Sequence, residues 1–240
     1  MSNPYFRFKQ FTVWHDRCAM KVGTDGVLLG AWCDVAASHR ILDVGCGTGL
    51  IALMVAQRTA GDVTVDGLEI DAEAAGQAAE NVARSPWSDR VYVTKADFLD
   101  VVAAGAAPRY DLIVSNPPYF EHSLLPEDEA RLTARHTERL TYAALLQGAA
   151  DLLLPEGRVA LIFPASLYPA VNAQARRYGL YPRRLTWVSG RAGLPPKRVM
   201  VEWSREAASI CEESHLAIET APLQWTPEYK ALTRDFYLQL

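Results

Sequence analysis

The sequence has few of the residues and patterns that indicate a disulfide-stabilised, metal-binding or membrane-spanning protein. The longest apolar run, residues 50–56, is too short to cross a bilayer, and the N-terminus contains no apolar core of a secretion signal. Its cysteines form no Cys-x-x-Cys pair and no zinc-spaced cluster; there are four, Cys18, Cys33, Cys46 and Cys211. These absences favour a cytoplasmic protein in a reducing compartment, with no metal and no membrane partner.

What remains is the composition of an ordinary folded protein. Half of the 240 residues are hydrophobic and 22% are charged, which is typical of a globular α/β domain rather than a disordered chain. We expect one domain over residues 1–240. It consists of an N-terminal arm and helix (1–39), a core (40–205) and a C-terminal extension (206–240).

Charge is unevenly distributed along the chain. The net charge is −4, yet residues 176–205 contain eight basic side chains and a single acid, Glu202. The basic residues are Arg176, Arg177, Arg183, Arg184, Arg191, Lys197, Arg198 and Arg205. A basic stripe on an acidic body is typical of a surface that binds a polyanion such as RNA. The alternative is a solvated face whose charges pair with acidic neighbours.

Strands alternate with helices from Arg40 onward. The segments RILDV, VTVDGLEI, RVYVTKAD, YDLIVSN and RVALIFP predict five buried strands separated by helices, and therefore a doubly wound, mainly parallel, Rossmann-like sheet. LTWVSG and RVMVEWSR lack a helix between them, so we expect them to pair antiparallel at an edge. Before the core, FRFKQFTV predicts a hairpin arm, and Thr24-Asp25 predicts the N-cap of a helix.

A glycine turn, GCGTG, directly follows the first core strand. Gly45, Gly47 and Gly49 let the backbone approach a ligand closely. The dinucleotide fingerprint fails because Leu50 stands where its last glycine belongs, and no P-loop lysine is present. Asp43 would repel a pyrophosphate and suits a ligand with a positive end, such as S-adenosylmethionine. A nicotinamide dehydrogenase is therefore disfavoured.

Two further carboxylates stand at strand ends. Glu69 ends the second strand, where an acid can accept both ribose hydroxyls, and Asp97 ends the third, where it can accept from an adenine amine. The carboxyl ends of parallel strands share one edge of a sheet, which is where such folds bind ligands. The sequence therefore predicts a cofactor site here. The alternative is that Asp43 only caps the turn while Glu69 and Asp97 are solvated.

Asn116-Pro117-Pro118-Tyr119 follows the fourth strand. The two prolines fix an extended backbone that donates no hydrogen bonds. The Asn116 side-chain oxygen and the Pro117 carbonyl can then accept both hydrogens of a planar amine and favour a nucleophilic nitrogen. Tyr119 offers a face on which a base can stack. The motif predicts amine methylation by orientation and electrostatics, without a covalent intermediate.

DVGCGTG, LEID, AD and NPPY, in this order, resemble the class I S-adenosylmethionine-dependent methyltransferases that act on exocyclic amines. The flanks FRFKQFTVWHDRCAMKVGTDGVLLGAW, ENVARSPWSDRV and PEYKALTRDFYL closely resemble the bacterial tRNA1(Val) adenine-N6-methyltransferase family, so the resemblance covers nearly the whole chain. It implies methylation of the adenine beside the anticodon, at tRNA position 37. The core at 40–205 is then the catalytic core, and the partner is the anticodon loop of the tRNA. For the oligomeric state, a monomer is favoured.

The resemblance also implies roles for individual residues. The methionine end of the cofactor would contact Lys21, Thr24, Asp25, Asp43, Gly45, Gly47 and Gly49. Glu69 would bind the ribose, and Asp97 with the Phe98 backbone the adenine. Asn116, Pro117 and Tyr119 would hold the target base, beside Pro118. The predicted RNA contacts are Arg135, His136, Lys197 and Arg198 from the resemblance, and Arg183, Arg184 and Arg191 from the basic stripe. Cys46 is interpreted as structural.

The motifs leave the substrate partly open, because enzymes acting on other RNA adenines, guanine N2 or protein glutamine share versions of them. A glutamine methyltransferase would carry a helical substrate domain, for which the roughly forty residues before the first core strand leave little room. A non-catalytic RNA-binding module is the alternative of a different class. The intact NPPY motif and cofactor carboxylates disfavour it.

Overall fold

Two β-sheets organise the computed structural model, which describes residues 3–118, 140–207 and 210–239. A hairpin consists of β1 (Tyr5–Arg7) and β2 (Thr12–Trp14). The nine-stranded sheet consists of β3 (Arg40–Val44), β4 (Thr64–Glu69), β5 (Val91–Lys95), β6 (Tyr110–Ser115), β7 (Leu153–Pro164), β8 (Tyr181–Arg191), β9 (Arg198–Ser204), β10 (Glu212–Ala221) and β11 (Gln224–Trp225). The described helices are α1 (Thr24–Trp32), α2 (Leu50–Arg58), α3 (Ala72–Ala83), α4 (Phe98–Ala104), α5 (Tyr142–Leu152), α6 (Tyr168–Arg177) and α7 (Pro227–Thr233).

The strands of the large sheet lie in the order β11-β10-β8-β9-β7-β6-β3-β4-β5. Neighbours from β5 to β7 are parallel, and β9 runs antiparallel between β7 and β8. The mainly parallel sheet and the antiparallel β8–β9 pairing are confirmed. The C-terminal extension widens the sheet with β10, parallel to β8, and β11, antiparallel at the edge. The β8–β9 pair is therefore internal, and the polar, largely exposed sequence of β10 explains why no hydrophobic signal predicts this strand.

Each central strand supplies side chains to two separate cores. In β3, Ile41 belongs to the cluster that includes α1, α2 and the N-terminal arm, whereas Leu42 belongs to the cluster that includes α4, α5 and α6. The alternation follows from the two-residue period of a strand. Because helices cover both faces of the sheet, a ligand can bind only at the loops that follow the strand ends.

The N-terminal arm packs against the C-terminal residues. Phe8 is buried, and its ring centroid lies 6.0 Å from that of Tyr237. The Lys9 backbone N–H donates to the Phe236 carbonyl at 2.8 Å. The antiparallel pairing of β1 with β2 confirms the predicted hairpin, and the contacts above place it against the C-terminal residues.

The predicted N-cap of α1 is wrong. The cap residue is Gly23, without a side-chain hydrogen bond, and Thr24 and Asp25 lie in the first helical turn. The Asp25 carboxylate instead accepts from Arg198 Nε at 3.0 Å, because α1 begins beside the start of β9. In the described part of the chain, no helix is both long and apolar enough to span a membrane.

Candidate active site

The glycine turn between β3 and α2 is left-handed at all three glycines. The φ angles of Gly45, Gly47 and Gly49 are 69°, 54° and 78°. A Cβ added to Gly45 or Gly47 would meet no heavy atom of the described residues within 4 Å, whereas one on Gly49 would lie 3.4 Å from the Ala78 Cβ. Gly49 therefore lets the turn pack against α3. Gly45 and Gly47 leave an open cradle in which a ligand can approach the backbone.

Asp43 is fully buried beneath this turn. One carboxylate oxygen accepts from the Ala52 N–H at 3.0 Å and so caps the first turn of α2. The other, Oδ1, is buried and has no hydrogen-bond partner among the described residues. Burial raises the pKa of Asp43 to about 7, and the Glu69 charge raises the pKa further, against the lowering effect of the Ala52 hydrogen bond. Capping therefore accounts for only one oxygen, and a cationic donor would satisfy the other.

Glu69 is held by backbone donors from two elements. Its carboxylate accepts from the Gly47 N–H at 2.8 Å and from the Asp71 N–H at 3.0 Å. The side chain thereby ties the glycine turn to the start of α3. Each carboxylate oxygen has a second lone pair, so the oriented group can still accept a pair of ligand hydroxyls.

Asp97 and Phe98 lie at the start of α4. Asp97 is the N-cap residue, and its Oδ1 accepts from the Leu99 N–H at 2.9 Å. The Phe98 side chain is buried in the core, so its backbone is the part available to a ligand. Asp97 thus has a structural role in the protein beside the predicted contact with adenine.

Strand register brings these groups together at one edge. Val114, Asp43 and Gly67 are partners across β6, β3 and β4. Two residues later in each segment come Asn116 and Gly45, each one residue past the end of its strand, and Glu69, the last residue of β4. The sequence-predicted cofactor residues and the NPPY motif therefore share the carboxyl edge of the sheet.

A side-chain hydrogen bond couples the NPPY motif to the glycine turn. The Ser115 hydroxyl donates to the Val44 carbonyl at 2.7 Å, one residue before each motif begins. Asn116 is half-buried, Pro117 is buried and Pro118 is exposed. Ser115 was not predicted as a site residue, and a hydroxyl between a buried strand and a proline motif is a weak signal.

The segment between β2 and α1 reaches the same edge. Cys18 is buried near Glu69 and Asp71, whose charges add to burial in raising the pKa of this thiol to about 11. Lys21 and Thr24 follow and are exposed. The predicted contacts to the methionine end of the cofactor therefore follow a segment that packs near Glu69, at the carboxyl edge of the sheet.

The basic stripe divides between the two ends of β8. Arg191, Lys197 and Arg198 lie at the carboxyl edge, the edge that also carries the candidate site. Arg183 and Arg184 lie at the opposite end, roughly 25 Å away at 3.3 Å per residue. The stripe is therefore not one continuous surface beside the glycine turn.

Several of its charges have partners inside the protein. Arg184 lies over the Trp32 ring at 4.0 Å, donates to the Trp32 carbonyl at 2.7 Å and pairs with the buried Glu202 at 3.4 Å. Arg191 pairs with Glu219 at 3.7 Å. Arg184 and Arg191 therefore match the second interpretation of the basic stripe, in which its charges pair with acidic neighbours. Lys197, in contrast, is exposed.

Three predicted site residues, Tyr119, Arg135 and His136, lie outside the described residues. Cys46 is buried, and burial raises the pKa of its thiol well above the ordinary value, as expected of a structural cysteine rather than a nucleophile. Sequence reasoning missed Gln77 and Asn81, two buried amides one turn apart on α3 that contact the arm. Their four-residue spacing on an alanine-rich helix was the available signal.

Comparison with known proteins relates the chain to a family of methyltransferases. The family model described as methyltransferase small domain matches residues 20–168. A Bacteroides thetaiotaomicron protein named tRNA1(Val) (adenine(37)-N6)-methyltransferase is 52% identical over 240 residues, covering 100% of both chains. A Serratia proteamaculans protein of the same name is 48% identical, covering 97% of this chain and 89% of its own.

A solved structure supports the fold. The crystal structure of a predicted O-methyltransferase from Agrobacterium tumefaciens superposes with a TM-score of 0.66 at 21% identity, covering 88% of this chain and 96% of its own. At that identity the likeness concerns the class I methyltransferase fold alone. Full-length identity of about one half to the curated relatives goes further: this chain belongs to the tRNA1(Val) (adenine(37)-N6)-methyltransferase family.

Proposed function

We propose that the protein transfers a methyl group from S-adenosylmethionine to the exocyclic N6 of adenine 37 in tRNA1(Val), the reaction named for its relatives. The observation that carries the proposal is the juxtaposition of two motifs. The Ser115–Val44 hydrogen bond joins the amine-binding motif to the cofactor cradle at one sheet edge. We also infer that residues 1–240 act as one domain, because the core and the C-terminal extension share a sheet.

The chain's own residues fit this cofactor. Asp43 Oδ1, for which the described residues supply no hydrogen-bond partner, suits a group with a positive end. The cradle at Gly45 and Gly47 admits a ligand, and the oriented Glu69 carboxylate suits ribose hydroxyls. Two carboxylates would repel a phosphate, and S-adenosylmethionine carries none. When bound, S-adenosylmethionine supplies an electrophilic methyl group on sulfur.

The NPPY motif would prepare the acceptor amine. Asn116 Oδ1 and the Pro117 carbonyl accept the two N6 hydrogens of adenine and hold the nitrogen with its lone pair directed at the cofactor cradle. Fixed acceptors stabilise the developing charge without reorganising. After transfer, one of these protons leaves the nitrogen for water. Tyr119 would stack on the base.

Lys197 is exposed at the carboxyl edge of the sheet, and we assign it to RNA phosphates. Arg191 and Arg198 lie at the same edge and would contact RNA while also paired with Glu219 and Asp25. A base in an anticodon loop is single-stranded and can be turned outward at modest cost. Arg135 and His136 remain proposed contacts. Contacts from Arg183 and Arg184 would require RNA at the far end of β8, so their assignment is the weaker one. We propose that the protein works as a monomer in the cytoplasm.

Nucleoside mass spectrometry tests the proposal. The protein is incubated with S-adenosylmethionine and an unmodified tRNA1(Val) transcript, which is then digested and analysed. N6-methyladenosine that maps to position 37 is the expected product, and a transcript with guanine at position 37 is the control. Cofactor binding without any methylated nucleoside would refute tRNA1(Val) as the substrate and direct the search to other RNAs and then to protein glutamine.

A further inference from the structure

Two amide side chains are buried on α3, where alanine would suffice for packing. Gln77 and Asn81 are each 1% exposed and stand one helical turn apart. Buried amides are retained where they satisfy other polar groups. Both contact residues 14–17, at the end of β2 and just after it.

Asn81 bonds to two separate segments at once. Its Oδ1 accepts from the Trp14 N–H at 2.9 Å, and its Nδ2 donates to the Trp14 carbonyl at 2.9 Å. The same Nδ2 donates to the Thr48 carbonyl in the glycine turn, also at 2.9 Å. One amide thus ties the N-terminal arm to the cofactor cradle.

Gln77 contacts the arm through different atoms. Its Oε1 accepts from the Arg17 N–H at 3.1 Å, and its Nε2 donates to Asp16 Oδ1 at 2.6 Å. Neither bond reaches the glycine turn. The two amides therefore share burial, helix face and arm contact, and they differ in the bond to Thr48.

The glycine turn is also packed on the same helix. A Cβ at Gly49 would lie 3.4 Å from the Ala78 Cβ, and Thr48 is buried. The Asn81 bond therefore acts on a turn that has little room to shift. Before Thr48 the turn is less packed, since a Cβ added to Gly45 or Gly47 would meet no heavy atom of the described residues within 4 Å.

We propose that Asn81 is a positioning residue for cofactor binding, because its amide holds the glycine turn and the arm in a fixed relation before the cofactor arrives. The inference rests on the proposed function, in which the glycine turn contacts S-adenosylmethionine and so do Lys21, Thr24 and Asp25, which follow Trp14 in the same N-terminal region. Pre-ordering two contact segments lowers the entropy that binding must overcome. Asn81 acts through Thr48 and Trp14, so it affects affinity rather than the transfer step.

The test compares Asn81→Ala with Gln77→Ala. Calorimetry gives the Kd for S-adenosylmethionine, and steady-state assays give KM and kcat. We expect Asn81→Ala to raise Kd and KM about tenfold, the scale of one net hydrogen bond, with kcat at saturation within about twofold. Gln77→Ala is expected to raise Kd by less than about threefold. Equal effects in the two variants would overturn the role.

Hydrogen exchange on the unaltered protein supplies a measurement that does not depend on how the variants fold. Adding S-adenosylmethionine should slow exchange in residues 14–17 and 45–49 over the same range of ligand concentration. Protection confined to the glycine turn would contradict the coupling. If the unaltered protein does not bind S-adenosylmethionine, the proposed function itself fails, a result distinct from either outcome above.

Discussion

Buried charged side chains are paired differently at the two ends of the parallel strands. At the amino ends, Arg158 pairs with Asp34 at 2.7 Å, and Arg184 pairs with the buried Glu202. At the carboxyl ends, Asp43 keeps a buried oxygen without a partner in the described part of the chain. Arg158 and Arg184 also have a buried Nε without a described partner, but each forms an ion pair, whereas Asp43 forms none with the described residues. The paired charges stabilise the fold, and the unpaired carboxylate is the one that we assign to a ligand.

Replacing the amine acceptor should have the largest effect. In Asn116→Ala the target nitrogen loses one of its two fixed acceptors, and we expect kcat to fall about 10²–10³-fold, the cost of losing one oriented transition-state hydrogen bond. The Kd for S-adenosylmethionine should stay unchanged, because Asn116 is assigned to the base and not to the cofactor. Single-turnover methylation and calorimetry measure the two quantities. A rate equal to that of the unaltered protein would remove Asn116 from the mechanism.

At the amino end the expected loss is of stability. Arg184→Ala leaves Glu202, whose side chain is 2% exposed, without its cation and removes the stack on Trp32. We expect unfolding in urea to become easier by about 3 kcal/mol, while tRNA affinity below the transition is unchanged. Arg183→Ala, at the exposed neighbouring residue, should change stability by less than about 0.5 kcal/mol. A stable Arg184→Ala protein that no longer binds tRNA would identify this end as part of the RNA surface.

The same contrast explains how far sequence reasoning reached. The placement of Asp43, Glu69 and Asp97 near strand ends could be predicted because hydrophobic runs and glycine turns are local signals, and parallel strands bring their ends to one edge. The third strand ends at Lys95, two residues before the predicted end at Asp97, because Asp97 caps the next helix. Partners distant in the chain are not local signals. Glu202 lies 18 residues after Arg184, and Asp25 lies 173 residues before Arg198. A count along the chain therefore describes a basic stripe, whereas the fold divides it and neutralises part of it.

Asp43→Asn should separate stability from binding. An acid whose pKa rises on folding costs stability once it is ionised, so the cost is absent below about pH 4 and is complete above about pH 7. At pH 8 we expect the variant to be more stable by about 1–2 kcal/mol, because it removes a buried negative charge; burial of the new amide limits the gain. At pH 4 its stability should equal that of the unaltered protein. Denaturant unfolding at both pH values measures this.

The ligand affinity of the same variant should change in the opposite direction. A cationic cofactor favours the ionised Asp43 carboxylate, so binding near pH 7 should release protons in the unaltered protein and not in Asp43→Asn. Calorimetry in buffers of different ionisation enthalpy detects this release. A variant that keeps both the cofactor affinity and the proton release would show that the unpartnered oxygen does not face the cofactor.

The smallest expected effect concerns RNA affinity at the carboxyl edge. Lys197 is exposed beside the site, and Arg183 is exposed at the far end of β8, so each loses one positive charge on substitution by alanine without disturbing a described ion pair. If Lys197 contacts a phosphate of the anticodon loop, Lys197→Ala should weaken tRNA binding severalfold and reduce the slope of log K against log salt by ~0.7. Arg183→Ala should leave that slope unchanged. Filter binding over a range of salt concentrations measures both, and equal slope changes would mean that the RNA follows the whole length of β8 rather than the catalytic edge alone.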